Sequence, residues 1–345
     1  MVDILIPTKR WNAYTRAFFS YMASIVTYSD LELQLHIGDN SLDADKHQFL
    51  NSLVNERVHV YPHETDLGAY GNLSFLIQNS HSPYVQLFGD DDWIHADWYE
   101  NIHYFQEMPE LSGVIGALLC YPSENKHVVQ PGDRFMQADG VARARDFILY
   151  MLNEIGVNIQ AFSIRRREDF QIFSNYLDQH PFHYQFHDQL LSQIGLLRGP
   201  MKGVNNGLIV YNTKHDAISS GAMANYQNTF LEQGLPEWFG TFHFYLYGVE
   251  YATLYQFREL SDTLFQNRQE ATDQIFALFF NAYRVTPEIE AHLNATGLLP
   301  YVQEVYANPT AAQGVACMHK IIAALNSELG EKYAHFLNTY TYFKV

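Results

Sequence analysis

Three consecutive carboxylates, Asp90, Asp91 and Asp92, follow the apolar run at 84–88 in the stretch YVQLFGDDDWIHADW. Like charges this close raise one another's pKa, so the arrangement is costly unless a cation or hydrogen-bond donors face it. In an extended segment alternate side chains point the same way, which directs Asp90 and Asp92 to one point and turns Asp91 away. That spacing suits a hard divalent cation, Mg2+ or Mn2+, which takes few carboxylates and completes its shell with water and phosphate oxygens. It does not suit an EF-hand calcium loop, whose ligands alternate around a Gly and end on a distant Glu. The alternative is an acidic cap on the following helix, where carboxylates complement the dipole.

Four further stretches carry reactive or polar groups. LELQLHIGD ends on Asp39 at the close of another strand-like run. HPFHYQFHD sets His183 and His187 four apart, as zinc ligands on one helix face are, but Tyr184 stands where a His-Glu-x-x-His protease needs Glu. An aromatic, hydrogen-bonding acceptor wall is the better reading. IRRRED offers three arginines to an acidic acceptor or a diphosphate, and reads equally well as a solvated turn between strand and helix. Trp93 and Trp98 either stack on sugar faces or pack in the core, the more frequent fate of large aromatics.

The elements that must position these groups are legible in the first third. VDILIP, LELQLHIGD, RVHVYP and YVQLFG read as strands, alternating with helical periodicity around 14–28, 45–54 and 70–79. Such alternation predicts an α/β fold, a mostly parallel sheet with right-handed crossovers. Ligands of open α/β sheets collect outside the carboxyl ends of the strands, where Asp39 and the three aspartates stand. The stretch at 113–215 adds GVIGALLCY, ARARDFILYMLNEI, NIQAFSIRRREDF, HDQLLSQIGLL and NGLIVYNTKH, the remainder of the same sheet with acceptor-side elements. Beyond it the apolar spacing turns helical in TDQIFALFFNAYRV, TPEIEAHLNATGLL and AAQGVACMHKIIAALNSELGEKYAHFLN. The organisation expected is one domain at 1–220, with halves at about 1–110 and 111–220, then a helical region at 221–345. No internal repeat, low-complexity tract or Gly/Ser linker is present.

With 345 residues, 47% hydrophobic and 17% charged, the chain can bury a full core. A net charge of -17, from 38 acidic against 21 basic residues, argues against a nucleic-acid polymer, whose binding depends on Lys and Arg releasing counterions. Phosphate on a small molecule is compatible with it, since a metal or a helix N-terminus supplies positive charge locally. Cys120 and Cys317 lie far apart and without metal-ligand spacing, which suits a reducing compartment with neither a disulfide framework nor a thiolate zinc site. MVDILIPTKR has no signal-peptide order and no window approaches about 18 apolar residues, so a cytoplasmic protein is expected.

Residues 2–215 resemble the family 2 glycosyltransferases, which have the glycosyltransferase A-type (GT-A) fold. VDILIPTKRW is similar to that family's opening strand and nucleotide loop, and LHIGDNSLD to its second strand ending in an acidic residue and a serine. ETDLGAYGNLSFLIQNSHSPYVQLFGDDDWI resembles the segment running into its Asp-x-Asp motif, with Gly68, Asn72, a strand and the aspartates in order. The resemblance implies a donor-binding set of Pro7, Thr8, Arg10, Asp39, Gly68, Asn72, Asp90 and Asp91. Thr8 and Arg10 would lie along the nucleoside, Asp39 would accept from the base, and Asp90 would contact the ribose or a metal-bound water. Asp92, with Asp90, would hold the Mn2+ or Mg2+ that bridges the diphosphate. His215, after the strand in IVYNTKH, would complete the metal shell or bond the diphosphate, although Asn212 and Thr213 replace the family's usual arginine region. FHDQLLSQIGLLRGPMKGVNNGLIVYNTKH resembles the acceptor-side stretch. There Asp188 takes the acidic position, behind His187 instead of the usual acid, and would remove the acceptor hydroxyl's proton.

The activity implied is metal-dependent, inverting transfer of a sugar from a nucleotide-diphosphate donor to a hydroxyl of a saccharide, lipid-linked or protein acceptor, as in surface polysaccharide or glycoconjugate synthesis. A nucleotidyltransferase is disfavoured because ILIPTKRW lacks a glycine-rich phosphate loop. A third reading is a non-catalytic module whose aspartates hold a structural cation. The helical region is suited to covering the acceptor side, pairing subunits as a homo-oligomer, or resting on the inner face of a membrane.

Overall fold

Strands apolar on both faces dictate the parallel part of the sheet. Val2, Ile4, Leu5 and Ile6 of β1 (Val2–Thr8) and Leu33, Leu35 and Ile37 of β2 (Leu33–Asp39) are all buried, the pattern of strands covered by helices on either side. The structure, a computed structural model, describes residues 1–121, 128–152, 158–182, 188–212, 227–282 and 284–345. With β3 (Val58–Pro62) and β4 (Tyr84–Leu87) the order is β3-β2-β1-β4, all parallel. The connecting helices are α1 (Ala13–Tyr28), α2 (Ala44–Asn51) and α3 (Gly68–Asn79). Each opens on a local signal. Asn12 and Thr15 form a capping box for α1, Asp43 caps α2, and Gly68 starts α3 with φ +70°, a backbone region that favours glycine.

Past β4 the sheet becomes mixed. It continues with β5 (Trp93–Ile94), β6 (Gly113–Tyr121), β7 (Val128–Val129), β8 (Ile164–Arg166) and β9 (Met201–Asn212). β8 lies antiparallel between β4 and β6, β6 pairs parallel with β9, and β5 and β7 pair antiparallel with β9 and β6. The chain divides into two units, Met1–Ser174 with Leu191–His215, and Asn175–Leu190 with Asp216–Val345. The first contains the sheet. The second takes in 175–190 together with the helical region read from sequence at 221–345.

In the second unit the last apolar run is two helices, Ala311–Leu325 and Ser327–Tyr340. Asn326 breaks the run with an extended backbone and caps the following helix by accepting from Leu329 N at 3.2 Å. The core of this unit is aromatic, and a fully buried carboxylate lies within it. Glu250 Oε1 stands 2.9 Å from His243 Nε2, and Glu250 Oε2 stands 3.1 Å from His180 Nε2. Burial pushes the Glu250 carboxyl up, but the charges and hydrogen bonds of His180 and His243 outweigh it and hold the group well below the usual carboxylate range. Among the described residues, no helix is long and apolar enough to cross a membrane.

Candidate active site

The strand order puts β1 between β2, to which it connects directly, and β4, which is added later on its other side; this is a switch point, at whose carboxyl ends ligands of open α/β sheets collect. Register brings the polar groups to those ends. Thr8 pairs with Asp39 across β1 and β2, while Leu5 pairs with Leu87 at the end of β4, two residues before Gly89. The ends are then stitched by side chains. Thr8 Oγ1 donates to Asp90 Oδ2 at 2.5 Å, and Lys46 Nζ donates to Thr8 Oγ1 at 2.9 Å and lies 2.9 Å from Asp39 Oδ1. Arg10 Nε donates to Asp90 Oδ1 at 3.1 Å, and Arg10 Nη2 contacts Asp90 and, at 3.0 Å, Asp91 Oδ2.

The cation that three adjacent aspartates call for is therefore Arg10, with Lys46 behind it. Asp90 and Asp92 are buried, at 3% and 4% exposure, as alternation anticipates. Asp91 does not turn away from the site, as an extended segment would have it. The chain turns at Asp90 and Asp91, and this brings the Asp91 carboxylate onto Arg10. Partial burial works against the Arg10 charge, but Asp90 and Asp91 outweigh it and raise the guanidinium pKa. Lys46 goes the other way, since burial lowers its pKa despite Asp39. At the rim, Tyr14 donates to Asp91 O at 2.8 Å, and its hydroxyl is pushed up to about 12, chiefly by burial.

Gly89 decides what else fits. A Cβ there would meet Asp91 Oδ1 at 2.8 Å and Asp92 Oδ2 at 3.0 Å, so two carboxylate oxygens close over a face that only glycine leaves open. Hard anionic oxygens in a pair suit Mg2+ or Mn2+. Among the described residues no three His, Cys, Asp or Glu side chains form a protein-only metal cage, so an ion here would draw the rest of its shell from water and phosphate.

The other residues singled out from sequence fall as follows. Asp39 is fully buried, accepting from Ser41 N and Ser41 Oγ at 3.0 Å each beside the Lys46 contact; His47 Nε2 lies 3.1 Å from its Oδ2. To accept from a base it must release one of these partners. Asn72 is buried, donating to Gly38 O at 2.7 Å, with His63 Nε2 3.0 Å from its Oδ1; it ties α3 to β2. Gly68 O accepts from Asn40 Nδ2 at 2.8 Å, and Pro7 is half-buried within β1. Asp188 is the half-buried first residue of α4 (Asp188–Arg198), in the second unit. His215 lies outside the described residues, as do His183 and His187.

Two of the IRRRED arginines, Arg165 and Arg166, hold backbone carbonyls. Arg165 is fully buried, donating to Leu191 O at 2.8 Å and Gln160 O at 2.6 Å, and Arg166 donates to Leu111 O at 2.6 Å. Trp98 is core. Trp93 is half-buried among the rings of Tyr14, Phe18 and Tyr21. Lys46 is the residue sequence reading missed, and a helix-capping Asp43 three residues before it was the available signal.

Residues 3–173, which carry β1 to β4 and the aspartates, match the family model described as glycosyl transferase family 2. The chain belongs to that family. It is a glycosyltransferase, and no curated protein matches it closely enough to narrow the activity further. Among solved structures, S. aureus TarS 1-349 in complex with UDP-GlcNAc is similar with a TM-score of 0.51 at 12% identity, over 97% of this chain and 84% of that one. S. aureus TarS 1-349 in complex with UDP gives 0.50 at 12% identity, over 98% and 87%. At such identity the likeness is one of fold.

Proposed function

We propose that this glycosyltransferase takes its sugar from a nucleoside-diphosphate donor whose phosphates rest at Asp90, Asp91 and Asp92 and whose nucleoside lies toward Thr8 and Asp39. The observation that carries the reading is the continuous network from Asp39 through Lys46, Thr8 and Asp90 to Arg10, built at the switch point of the sheet. Donor sites of this kind need polar groups fixed in advance around the charge that develops on the leaving diphosphate. Arg10 is suited to that task because it sits at the rim, with its side chain 43% exposed, and is already held by Asp90 and Asp91. The TarS structures that share the fold hold UDP-GlcNAc and UDP, which makes a uridine diphosphate sugar the first donor to try.

Asp91 and Asp92 are the residues suited to hold Mn2+ or Mg2+, because Asp91 Oδ1 and Asp92 Oδ2 both lie over the open face of Gly89. Such an ion supplies neutralisation of the departing diphosphate. In the reaction proposed, the acceptor oxygen of a saccharide, lipid-linked or protein hydroxyl bonds to the anomeric carbon as the bond to the diphosphate breaks, inverting that carbon. The acceptor's proton passes to Asp188. No covalent enzyme intermediate is involved.

The test pairs turnover with binding. UDP-GlcNAc is supplied with Mn2+ and acceptor, UDP release is followed, and UDP affinity is measured by calorimetry. Asp188→Asn should bind UDP within about twofold of the unaltered protein while turnover falls by about a hundredfold or more. Undiminished turnover in that variant removes Asp188 from the reaction, and a protein that binds no nucleoside diphosphate removes the donor reading.

A further inference from the structure

Lysine is almost never fully buried unless its charge is met, and Lys46 is fully buried. The helix sets it in place. Asp43 caps α2 by accepting from Lys46 N at 2.9 Å, which fixes the first turn against the ends of β1 and β2. From there the ammonium reaches Thr8 Oγ1 and Asp39 Oδ1, each at 2.9 Å, with the Phe19 ring centre 5.8 Å away. An ammonium only donates, and a hydroxyl has one hydrogen. Thr8 Oγ1 must accept from Lys46, so its single O–H is committed to Asp90 Oδ2.

We infer that Lys46 is a positioning residue of the donor site: it orients the Thr8 hydroxyl toward Asp90 and pins Asp39, so that aspartates from two strand ends form one preformed array. The inference rests on the donor reading above, because the array is what that donor meets. The Lys46 side chain is fully enclosed by protein. Its effect passes through Thr8, and through the Asp39 carboxylate it holds. Without the ammonium the Thr8 hydroxyl is free to rotate and Asp39 is left buried without its cation, so a site that was fixed beforehand has to be ordered by the ligand.

A double-mutant cycle on UDP binding tests this, read by calorimetry with Mn2+ present. Lys46→Gln keeps a hydrogen-bond donor and removes the charge; Thr8→Val removes the hydroxyl and leaves the Lys46 contact with Asp39. Each should weaken UDP binding by about tenfold, and the double variant should be within about twofold of the weaker single one, since Lys46→Gln already removes the orientation of Thr8. Thr8→Ser should restore affinity to within about threefold of the unaltered protein. A merely structural lysine would lower the melting temperature and leave UDP affinity unchanged well below it. UDP affinity unchanged in Lys46→Gln, or losses that multiply in the double variant, overturns the inference. If Lys46→Gln fails to fold, Thr8→Val binding UDP as tightly as Thr8→Ser overturns it. An unaltered protein that binds none of UDP, GDP or dTDP overturns the donor reading instead, and this inference with it.

Discussion

Two buried charge clusters in this chain use similar ingredients for different ends. In the sheet unit, the network starts at fully buried Asp39 and Lys46, passes through Thr8 and Asp90, and finishes on Arg10, whose side chain is 43% exposed. In the helical unit, His180, Glu250 and His243 are all closed in, with Tyr176, Phe182, Phe230, Tyr333 and Phe336 against the imidazole rings. A buried carboxylate must be matched by charge and hydrogen bonds in either setting. The difference is the outlet. A cluster that ends in a half-exposed guanidinium can exchange one of its partners for a ligand, whereas a sealed one is suited to holding helices together.

The largest effect should come from breaking the open cluster. Asp92→Ala is expected to lower turnover of UDP-GlcNAc by about a hundredfold to a thousandfold, the usual loss when one preorganised electrostatic contact is removed. The bonds from Thr8 and Arg10 to Asp90 and from Lys46 to Thr8 are all retained in this variant, so the protein should still fold. A collapse of stability with activity lost only in proportion would make this cluster structural too, and the contrast would fail. Next in size is Glu250→Gln, which strips the charge that His180 and His243 face. Removing one partner of a buried ion cluster costs about 3 kcal/mol or more, read as a shift in the urea midpoint. UDP affinity of the folded protein should stay as it was. A variant as stable as the unaltered protein, or one that folds fully and loses UDP, would remove the distinction from the other side.

The sequence made one of these clusters visible and hid the other for a physical reason. Strand ends are marked by apolar runs that stop at an acidic residue, so Asp39 and the three aspartates were legible, as were β1 to β4 themselves, though not their order in the sheet. The partners were harder. Lys46 sits in LDADKHQF, which reads as an exposed, acid-capped helix start, and its burial follows only from where α2 packs. The orientation of Asp91 was misread because period-two reasoning assumes an extended chain, and the chain turns there. Arg165 shows the same limit, since three arginines in a row look solvated until the carbonyls of Gln160 and Leu191 close on one of them. His243 and Glu250 did leave a trace. Ionisable residues inside the aromatic stretch WFGTFHFYLYGVEYATLYQF are expensive to bury singly, so a pair seven residues apart there signals mutual neutralisation.

A smaller effect comes from the opposite end of β1, where Asp3 is a buried carboxylate within the sheet unit yet belongs to the sealed kind. It accepts from His81 N at 2.6 Å, from Ser82 N at 2.9 Å and from the Ser82 hydroxyl, with His36 Nε2 3.6 Å away. Burial pushes its carboxyl up, but the nearby His36 and the hydrogen bonds of Ser82 outweigh it and hold it at about 2 against an ordinary 3.8. Because the folded value is the lower one, the unfolded chain binds the proton first as pH falls. The stabilisation is whole above about pH 4 and disappears as pH drops toward 2, a loss of about 2 kcal/mol. Urea unfolding between pH 5 and pH 2.5 should therefore have a shallower pH slope in Asp3→Asn than in the unaltered protein, with UDP affinity at neutral pH the same in both. Equal slopes would mean that Asp3 is not what couples this end of the strand to pH. A loss of UDP binding would mean that the two ends of β1 are not independent, and that exposure at one end is not what separates a site from a brace.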